Sequence, residues 1–332
     1  MAQPSPEHIF QTLTAYQRPA ALKTAIDLDV FTAIADGAST AKDLAKQCQA
    51  AERGVRILCD FLTVIGLLTK QGDNYGLTSD STVFLNRHSP GYMGTAANFL
   101  CSAHLTDSFR DFTATVRNGG AIPAGHGSLN PEDPMWVEFA RSMAPMMARP
   151  AEEIAALTGA DSGQQWKVLD IAAGHGVFGI AIARHNPKAE IVALDWVNVL
   201  QVARQNAEAA GVAERYRTLP GSAFEVDFGS DFDLVLITNF LHHFDAATCE
   251  SFLKKVHGAL KAGGRAVTLE FVPNEDRVSP SIPAAFSLMM LGTTPAGDAY
   301  TFSELEGMFG KAGFSKTEMH SAPPGSVLIS TR

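Results

Sequence analysis

Short apolar strands alternate with helices along the second half of this chain, and this alternation limits the possible fold more than any other sequence feature. The predicted strands cover residues 168–171, 191–195, 232–237 and 266–270, and the predicted helices between them cover 177–184, 197–210 and 246–260. A helix over 303–312 and an antiparallel strand pair that ends with 327–330 complete the pattern. Alternation of this kind predicts a doubly wound α/β fold, a mainly parallel sheet with helices on both faces.

The first of these strands ends in an acid and small residues, Asp170-Ile171-Ala172-Ala173-Gly174-His175-Gly176. Small residues let a ligand approach the backbone at the carboxyl edge of the sheet, where open α/β folds bind ligands. A carboxylate at Asp170 suits the amino group of a methionine moiety better than a phosphate. Asp195 ends the next strand, where an acid can hold both hydroxyls of a ribose. The pattern therefore favours a nucleoside cofactor that carries an amino acid.

The same glycines allow a second hypothesis. Gly174, Gly176 and Gly179 satisfy G-x-G-x-x-G, and Asp195 lies near the spacing of a nicotinamide dinucleotide site. That motif is weakly specific by itself, and Asp170 in the loop entrance argues against it. An NAD-dependent oxidoreductase stays as the alternative, and glycines that only permit close packing are a third interpretation.

The N-terminal part predicts helices followed by a hairpin. Apolar residues at Leu22, Ile26, Val30 and Ile34 predict one amphipathic helix from residue 20 that stops at Gly37. The other predicted elements are a helix over 40–45 with Thr40 as N-cap and Asp43 in its first turn, a helix over 55–65, and a hairpin from 67–70 and 75–78. Helix, helix, hairpin is the pattern of a winged helix.

A winged helix raises the hypothesis of a DNA-binding regulator. The helix just before the hairpin would be the one that enters the DNA groove. It carries only Arg53 and Arg56 as basic residues, beside Asp60 and many large apolar side chains. The formal net charge of -9 also disfavours a nucleic-acid surface. We therefore expect this module to pack against a second copy of itself, and we expect a small molecule as the ligand.

Length and composition fit a protein of two ordinary domains, with 332 residues of which 46% are hydrophobic and 18% charged. The apolar runs are too short for a membrane span and the N-terminus lacks a signal peptide, so we expect a cytoplasmic protein without membrane contact. The cysteines are predicted to be reduced packing residues because no C-x-x-C pair occurs; they are Cys48, Cys59, Cys101 and Cys249. Residues 91–149 predict broken helices, with Phe139, Met143, Met146 and Met147 on one helical stripe that Pro145 interrupts.

From about Ala15 onward the chain resembles the small-molecule O-methyltransferases that use S-adenosylmethionine, a family that includes plant caffeic acid enzymes and bacterial secondary-metabolite enzymes. The resemblance rests on residues 170–176, on Leu241-His242-His243-Phe244 where plant members have L/C-H-D-W, on Glu270, and on Met290 to Gly297. It implies a class I methyltransferase domain over 151–332, a winged-helix domain over 1–90 that forms a homodimer, and a helical connector over 91–150 that contributes to the acceptor pocket.

The resemblance also implies roles for individual residues. The implied cofactor-binding residues are Asp170, Ala172, Gly174, Gly176, Asp195, Trp196, Ser222, Ala223, Phe224, Thr238 and Asn239. Asp195 and Trp196 would hold the ribose, Ala172 takes the place of a glycine, and Ser222 replaces the aspartate that plant members usually have near the adenine.

For the chemistry, the resemblance implies that His242 is the general base and that Glu270 steadies it. The family's second acid corresponds to Ala299 here, with Asp298 as its neighbour, and His243 replaces an aspartate. The implied acceptor pocket contains Phe139, Met143, Met290 and Thr294, and their apolar character predicts an aromatic or otherwise hydrophobic acceptor. No metal is expected, because consecutive histidines point apart and rarely bind one ion.

Overall fold

The computed structural model describes residues 4–122 and 133–332, and the chain divides into two compact units, Met1–Ala103 and His104–Arg332. The first unit contains α1 (Glu7–Leu13), α2 (Gln17–Asp27), α3 (Val30–Ala35), α4 (Ala41–Gln47), α5 (Glu52–Val64), β1 (Leu68–Gln71), β2 (Asn74–Leu77), α6 (Ser79–Phe84) and α7 (Ala96–Leu100). Its apolar core is formed mainly by α2 to α5 and by the hairpin of β1 and β2.

The single helix predicted from residue 20 to Gly37 is wrong, because the structure divides it into α2 and α3. Asp29 lies between them with a φ of 59°, in the left-handed region. An L-residue in that conformation cannot continue a right-handed helix. The apolar positions still face inward on both sides of the break, since Ile26 and Val30 are both buried.

The N-cap and the hairpin of this unit are confirmed. The Thr40 side chain accepts a hydrogen bond from the Asp43 amide at the start of α4, and β1 pairs antiparallel with β2. On α5, Asp60 forms ion pairs with Arg56 at 3.0 Å and with Lys70 at 2.5 Å. Two basic side chains of the helix and hairpin are thus already paired with a carboxylate.

The second unit begins within α8 (Ala103–Ser108) and contains the sheet. Its other helices are α9 (Phe112–Asn118), α10 (Pro134–Thr158), α11 (Val177–His185), α12 (Val197–Ala209), α13 (Ala246–Ala259), α14 (Ser281–Thr293) and α15 (Phe302–Lys311). Its strands are β3 (Lys167–Ile171), β4 (Glu190–Asp195), β5 (Tyr216–Pro220), β6 (Phe232–Thr238), β7 (Leu260–Glu270), β8 (Lys316–Ala322) and β9 (Gly325–Thr331).

The seven strands form one sheet in the order β5-β4-β3-β6-β7-β9-β8. The strands from β3 to β7 are parallel, and β9 runs antiparallel to both β7 and β8. One apolar core lies between the sheet and α10 to α12, and a second lies between the other face and α13 and α15. The predicted doubly wound sheet and its antiparallel ending are confirmed.

The chain proceeds from β3 outward to β5 and then returns to the other side of β3 with β6, so the strand order reverses between β3 and β6. In open α/β sheets a crevice opens at the carboxyl ends of the strands at such a switch point. Asp170 and Thr238 lie near the carboxyl ends of these two strands. The topology therefore brings together the loops that the sequence marks as functional.

One long helix carries the methionine stripe. α10 continues through Pro145 and Pro150 for 25 residues, so the expected interruption at Pro145 is wrong. Its end at Gly159, with φ 69°, is a left-handed C-cap that glycine adopts without strain. The predicted border between connector and methyltransferase domain at residue 150 lies inside this helix.

In the parts of the chain that the structure describes, no helix combines the length and the apolar character needed to cross a bilayer.

Candidate functional site

A cavity with about 1070 Å³ of empty space, including its open mouth, lies at the carboxyl edge of the sheet. Most of its walls are apolar, as is usual for a small-molecule site. The cavity is lined by Trp136, Phe139, Ala172, Ala173, Gly174, His175, Phe178, Leu194, Asp195, Trp196, Val199, Gly221, Ser222, Ala223, Phe224, Thr238, Asn239, Phe240, His243 and Phe244. The loops that follow β3, β4, β5 and β6 all contribute to it.

Asp170 precedes the lining residues Ala172 and Ala173 on the same strand end and is fully buried. Its Oδ2 accepts a hydrogen bond from the Gly179 amide at 3.0 Å, whereas Oδ1 has no hydrogen-bond partner within the described residues. Burial raises the pKa of Asp170 to about 8, and nearby Asp195 adds to this effect. A buried carboxylate oxygen without a hydrogen-bond partner is suited to bind a cationic group of a ligand.

Close packing explains Gly176, at the end of the loop after β3, and Gly179, in the first turn of α11. Gly176 has a φ of 76°, and a methyl group there would lie 2.5 Å from the Tyr216 hydroxyl. A methyl group on Gly179 would lie 2.8 Å from Asp170 Oδ2. Ala172 has a φ of 53°, so an alanine occupies a left-handed position that costs an L-residue about 1–2 kcal/mol. This bend brings Ala172, Ala173 and Gly174 into the lining of the cavity.

Asp195 ends β4 and faces the same cavity. Its two oxygens accept hydrogen bonds from the amides of Gly174 at 2.8 Å and Trp196 at 2.7 Å. Burial raises the pKa of Asp195 to about 6, although the two amides oppose that shift. This carboxylate ties the ends of β3 and β4 together at the edge of the cavity.

His242 and Glu270 form a buried pair beside the cavity. His242 lies in a short 3-10 turn after β6, and Glu270 is the last residue of β7. His242 Nδ1 is hydrogen-bonded to Glu270 Oε2, while Glu270 Oε1 accepts from the amides of Phe240 at 3.0 Å and Leu241 at 2.9 Å. With Nδ1–H donating to the carboxylate, the other ring nitrogen of a neutral imidazole carries the lone pair. The carboxylate thus fixes both the turn and the tautomer.

The segment after α14 presses against the backbone of this turn. A methyl group on Gly297 would overlap the carbonyl oxygen of His242. The Thr294 hydroxyl donates to the Met290 carbonyl at 2.7 Å and accepts from the Gly297 amide at 2.8 Å. Asp298, beside the position of the family's second acid, is ion-paired with Arg277 at 3.2 Å. This ion pair directs the Asp298 carboxylate to Arg277, so among the described residues no contact supports Asp298 as the family's second acid beside His242.

Nine of the eleven predicted cofactor residues line the cavity, and Asp170 and Gly176 are the two that do not. Of the four predicted acceptor residues, only Phe139 lines it. Met143, Met290 and Thr294 are buried with exposed fractions of 8%, 4% and 1%, so their contact with an acceptor stays a prediction. Neither His242 nor Glu270 lines the cavity, but His242 precedes the lining residue His243 in the chain, and Glu270 accepts from the amide of the lining residue Phe240.

Several lining residues were not predicted to contact a ligand, although His243 and Phe244 belong to a motif on which the resemblance rests. Phe240, His243 and Phe244 adjoin predicted residues on the turn after β6, so that strand end was the available signal. Trp136 comes from α10, and its ring packs 5.8 Å from that of His243. No local pattern indicates that contact. Burial lowers the pKa of His243 well below its usual value, and its Nδ1 has no partner in the described part of the chain.

The sheet order, the acid before a glycine bend and the cavity at the switch point define a class I methyltransferase fold. Comparison with known proteins supports this class. An O-methyltransferase domain model matches residues 140–315, and an O-methyltransferase dimerisation domain model matches residues 10–87. The chain belongs to the O-methyltransferase family and is an enzyme of that class.

Individual relatives agree with this assignment. A candidate O-methyltransferase of Nostoc punctiforme, known from its crystal structure, is 52% identical, with 100% of both chains covered and a TM-score of 0.95. The tetracenomycin polyketide synthesis 8-O-methyl transferase of Streptomyces glaucescens is 26% identical over 93% of this chain and 91% of its own length. Human N-acetylserotonin methyltransferase, solved in complex with SAM, shares the fold at 19% identity, with coverage of 100% and 98% and a TM-score of 0.82.

None of these relatives is a dehydrogenase or a DNA-binding regulator. The two alternative hypotheses from the sequence therefore gain no support.

Proposed function

We propose that the protein transfers the methyl group of S-adenosylmethionine to a hydroxyl of a small aromatic or otherwise hydrophobic molecule, with His242 as general base. The buried His242–Glu270 pair beside an apolar cavity carries this proposal. When bound, the cofactor supplies an electrophilic methyl group on a sulfonium centre.

The residues around the cavity fit such a cofactor. Asp170 offers the vacant buried oxygen that the cofactor's amino group needs. Asp195 ends the neighbouring strand β4 and lines the cavity, so it would face the ribose hydroxyls. The loop after β5, which includes Ser222 and Phe224, would then contact the adenine of the cofactor. The order of the strands therefore matches the order of the three parts of the ligand.

His242 provides the proton acceptor. A phenol has a pKa of about 10 and an imidazole one of about 6.5, so the neutral ring can take the hydroxyl proton as the oxygen forms its new bond. Glu270 then stabilises the imidazolium that results, because the two groups are already hydrogen-bonded. Alignment of the reacting groups can lower the barrier by up to about 7–11 kcal/mol.

Aromatic side chains near His242 support a hydrophobic methyl acceptor. The Phe286 ring lies 4.9 Å from that of His242 in an edge-to-face arrangement and stacks on Phe271 at 4.2 Å. On the cavity side, Trp136 and Phe139 add further apolar surface.

The proposal includes a homodimer formed through the first unit. Helix α1 has no buried residue, and its apolar side chains Ile9, Phe10 and Leu13 are each more than 60% exposed. An exposed apolar stripe of this kind is typical of a protein interface. Light scattering should give twice the mass of one chain, and Phe10→Asp should shift it toward the monomer.

Calorimetry with S-adenosylhomocysteine and with NAD tests the cofactor. We expect heat with the first and none with the second. Incubation of metabolite extracts with methyl-labelled cofactor, followed by mass spectrometry, then identifies the acceptor and the methylated atom. A protein that binds no S-adenosylhomocysteine would contradict the proposed function.

A further inference from the structure

The loop after β5 forms one wall of the cavity and lies at the edge of the sheet. We call residues 221–226 the β5 loop. Because β5 is an edge strand beside β4, the sheet supports this loop from one side. Its residues that line the cavity are Gly221, Ser222, Ala223 and Phe224. The shape of this wall therefore depends on contacts from other elements.

One ammonium group binds three carbonyl groups of the β5 loop. Lys255, in the second half of α13, donates from Nζ to the carbonyl oxygens of Ala223 at 3.0 Å, Phe224 at 3.1 Å and Val226 at 2.6 Å. An ammonium group has three N–H donors, and their number matches these three acceptors. Hydrogen bonds from a charged donor are roughly twice as strong as those between neutral groups. The loop is thus attached to α13 at three points.

The Lys255 ammonium group is partly removed from water. Its Nζ lies 4.1 Å from the centroid of the Phe228 ring, within the range of a cation–π contact. Burial lowers the pKa of Lys255, and nearby Asp227 acts against that shift. A cation that loses hydration is costly unless it is hydrogen-bonded, so the three carbonyl groups compensate for that loss.

The three carbonyl groups in turn need the cation. Carbonyl oxygens carry partial negative charge, so oxygens that converge on one point repel each other unless a positive charge lies between them. Inside the loop, the amides of Glu225 and Val226 donate to the Ser222 carbonyl at 3.0 and 2.9 Å, which forms a single tight turn. Without the ammonium group of Lys255, we expect the carbonyl groups to separate and the cavity wall to sample other conformations.

We infer that Lys255 is a positioning residue for cofactor binding, which holds the β5 loop in its ligand-binding conformation before the cofactor arrives. This inference rests on the proposed function, because that function places the adenine against the loop. Lys255 is not among the described residues that line the cavity, so it acts through the loop and not by contact with the ligand. A wall that is ordered in advance increases affinity, because binding does not have to supply the free energy for ordering it.

Lys255→Met tests the inference, because it keeps much of the side-chain length and removes the charge and the donors. In isothermal titration calorimetry, this variant should bind S-adenosylhomocysteine about tenfold more weakly than wild type. Hydrogen exchange with mass spectrometry should show faster exchange over residues 221–226 in the ligand-free variant, with β3 and β6 unchanged, and saturating S-adenosylhomocysteine should slow it again. Lys255→Arg keeps a cationic donor and should recover most of the lost affinity.

Lys254→Met is the matched control, since it removes the same charge from the neighbouring, exposed position of α13. It should bind and exchange as wild type does. Wild-type affinity in Lys255→Met, unchanged exchange of the β5 loop, or a Lys255→Arg variant as weak as Lys255→Met would overturn the inference. Faster exchange in β3 and β6 as well would also overturn it, because that result indicates a general loss of stability. If the wild type does not bind S-adenosylhomocysteine, the proposed function itself fails, whereas exchange in the ligand-free loop still shows whether Lys255 orders it.

Discussion

Two buried carboxylates lie at strand ends of this site, and they differ in how completely the protein satisfies them. Glu270 accepts hydrogen bonds from two amides and from His242, so both its oxygens are used. Asp170 accepts one amide on Oδ2 and leaves Oδ1 without a partner in the described chain. A buried polar atom without a partner is costly, on the order of 1–3 kcal/mol. Both oxygens of Glu270 thus have partners within the protein, whereas Asp170 Oδ1 has none among the described residues.

Under the proposed function, this difference separates two tasks. A base must be oriented before the substrate arrives, so its carboxylate partner is bonded in advance. A ligand-binding acid must keep a free oxygen, which makes the ligand-free protein less stable at that point. Substitutions at the two positions should therefore have opposite effects on stability and on binding.

The largest expected effect is on the rate of methyl transfer and concerns the hydrogen-bonded pair of His242 and Glu270. His242→Ala should lower the rate constant for methyl transfer by about 10² to 10⁴, the usual contribution of general base catalysis, and leave the affinity for S-adenosylhomocysteine within about threefold. Initial rates and calorimetry measure both. The exposed His88→Ala should behave as wild type. Unchanged turnover in His242→Ala would remove the base assignment.

Replacement of Glu270, whose oxygens both have hydrogen-bond partners, should mainly destabilise the fold. Glu270→Ala leaves the amides of Phe240 and Leu241 and the His242 ring without their acceptor, so we expect a loss of about 2–4 kcal/mol in the free energy of unfolding. Urea denaturation measures this value, with the partly exposed Glu250→Ala as a control that changes it little. A loss below about 1 kcal/mol would show that Glu270 does not hold the turn.

Replacement of Asp170, whose Oδ1 has no partner in the described chain, should mainly weaken cofactor binding. Asp170→Asn can keep the bond from the Gly179 amide but cannot pair with a cationic amino group, so affinity for S-adenosylhomocysteine should fall by about 10- to 100-fold. The ligand-free variant should be as stable as wild type or more stable at pH 8. If instead it unfolds more easily while binding is retained, the comparison between the two acids is wrong.

A smaller effect follows from the pKa of Asp170, which is about 8 without ligand against an ordinary value of 3.8. Between these values the folded protein binds more protons than the unfolded chain, so stability falls as pH rises from about 4 to 8. A cationic ligand favours the ionised acid, so binding at pH 7 should release up to about one proton, and affinity should fall as pH falls below 8.

Calorimetry in buffers with different ionisation heats measures that proton release. Asp170→Asn should release clearly less. Equal heats in all buffers would show that Asp170 does not change its protonation when the ligand binds.

The sequence predicted the strands and the positions of Asp170 and Asp195, because both depend on local patterns. The apolar segments at β3, β4 and β6 are short and continuous, and their carboxyl ends must meet at one edge of a parallel sheet. The positions of Asp170 and Asp195 at two such strand ends were therefore enough to place them together. Their hydrogen-bond partners could not be predicted, since these depend on the detailed bend of the loops.

Features that depend on distant packing were not predictable. The break at Asp29 arises from a left-handed residue that the apolar spacing does not reveal. α10 continues through Pro145 because it packs along α11 and α12, and this tertiary contact outweighs the local effect of proline. Lys255 lies on α13, about thirty residues from the carbonyl groups that it binds, and no spacing rule connects them.

The close approach of Gly297 to the His242 carbonyl has a practical consequence for redesign of this enzyme. A library that varies the acceptor side should keep this glycine and its partner Thr294 unchanged, and Gly120 as well, where an added methyl group would overlap the carbonyl oxygen of Pro295. Exposed positions of α14, such as Ile282 and Leu288, have room for new side chains. Substitutions there leave the contact between Gly297 and the turn of His242 unchanged.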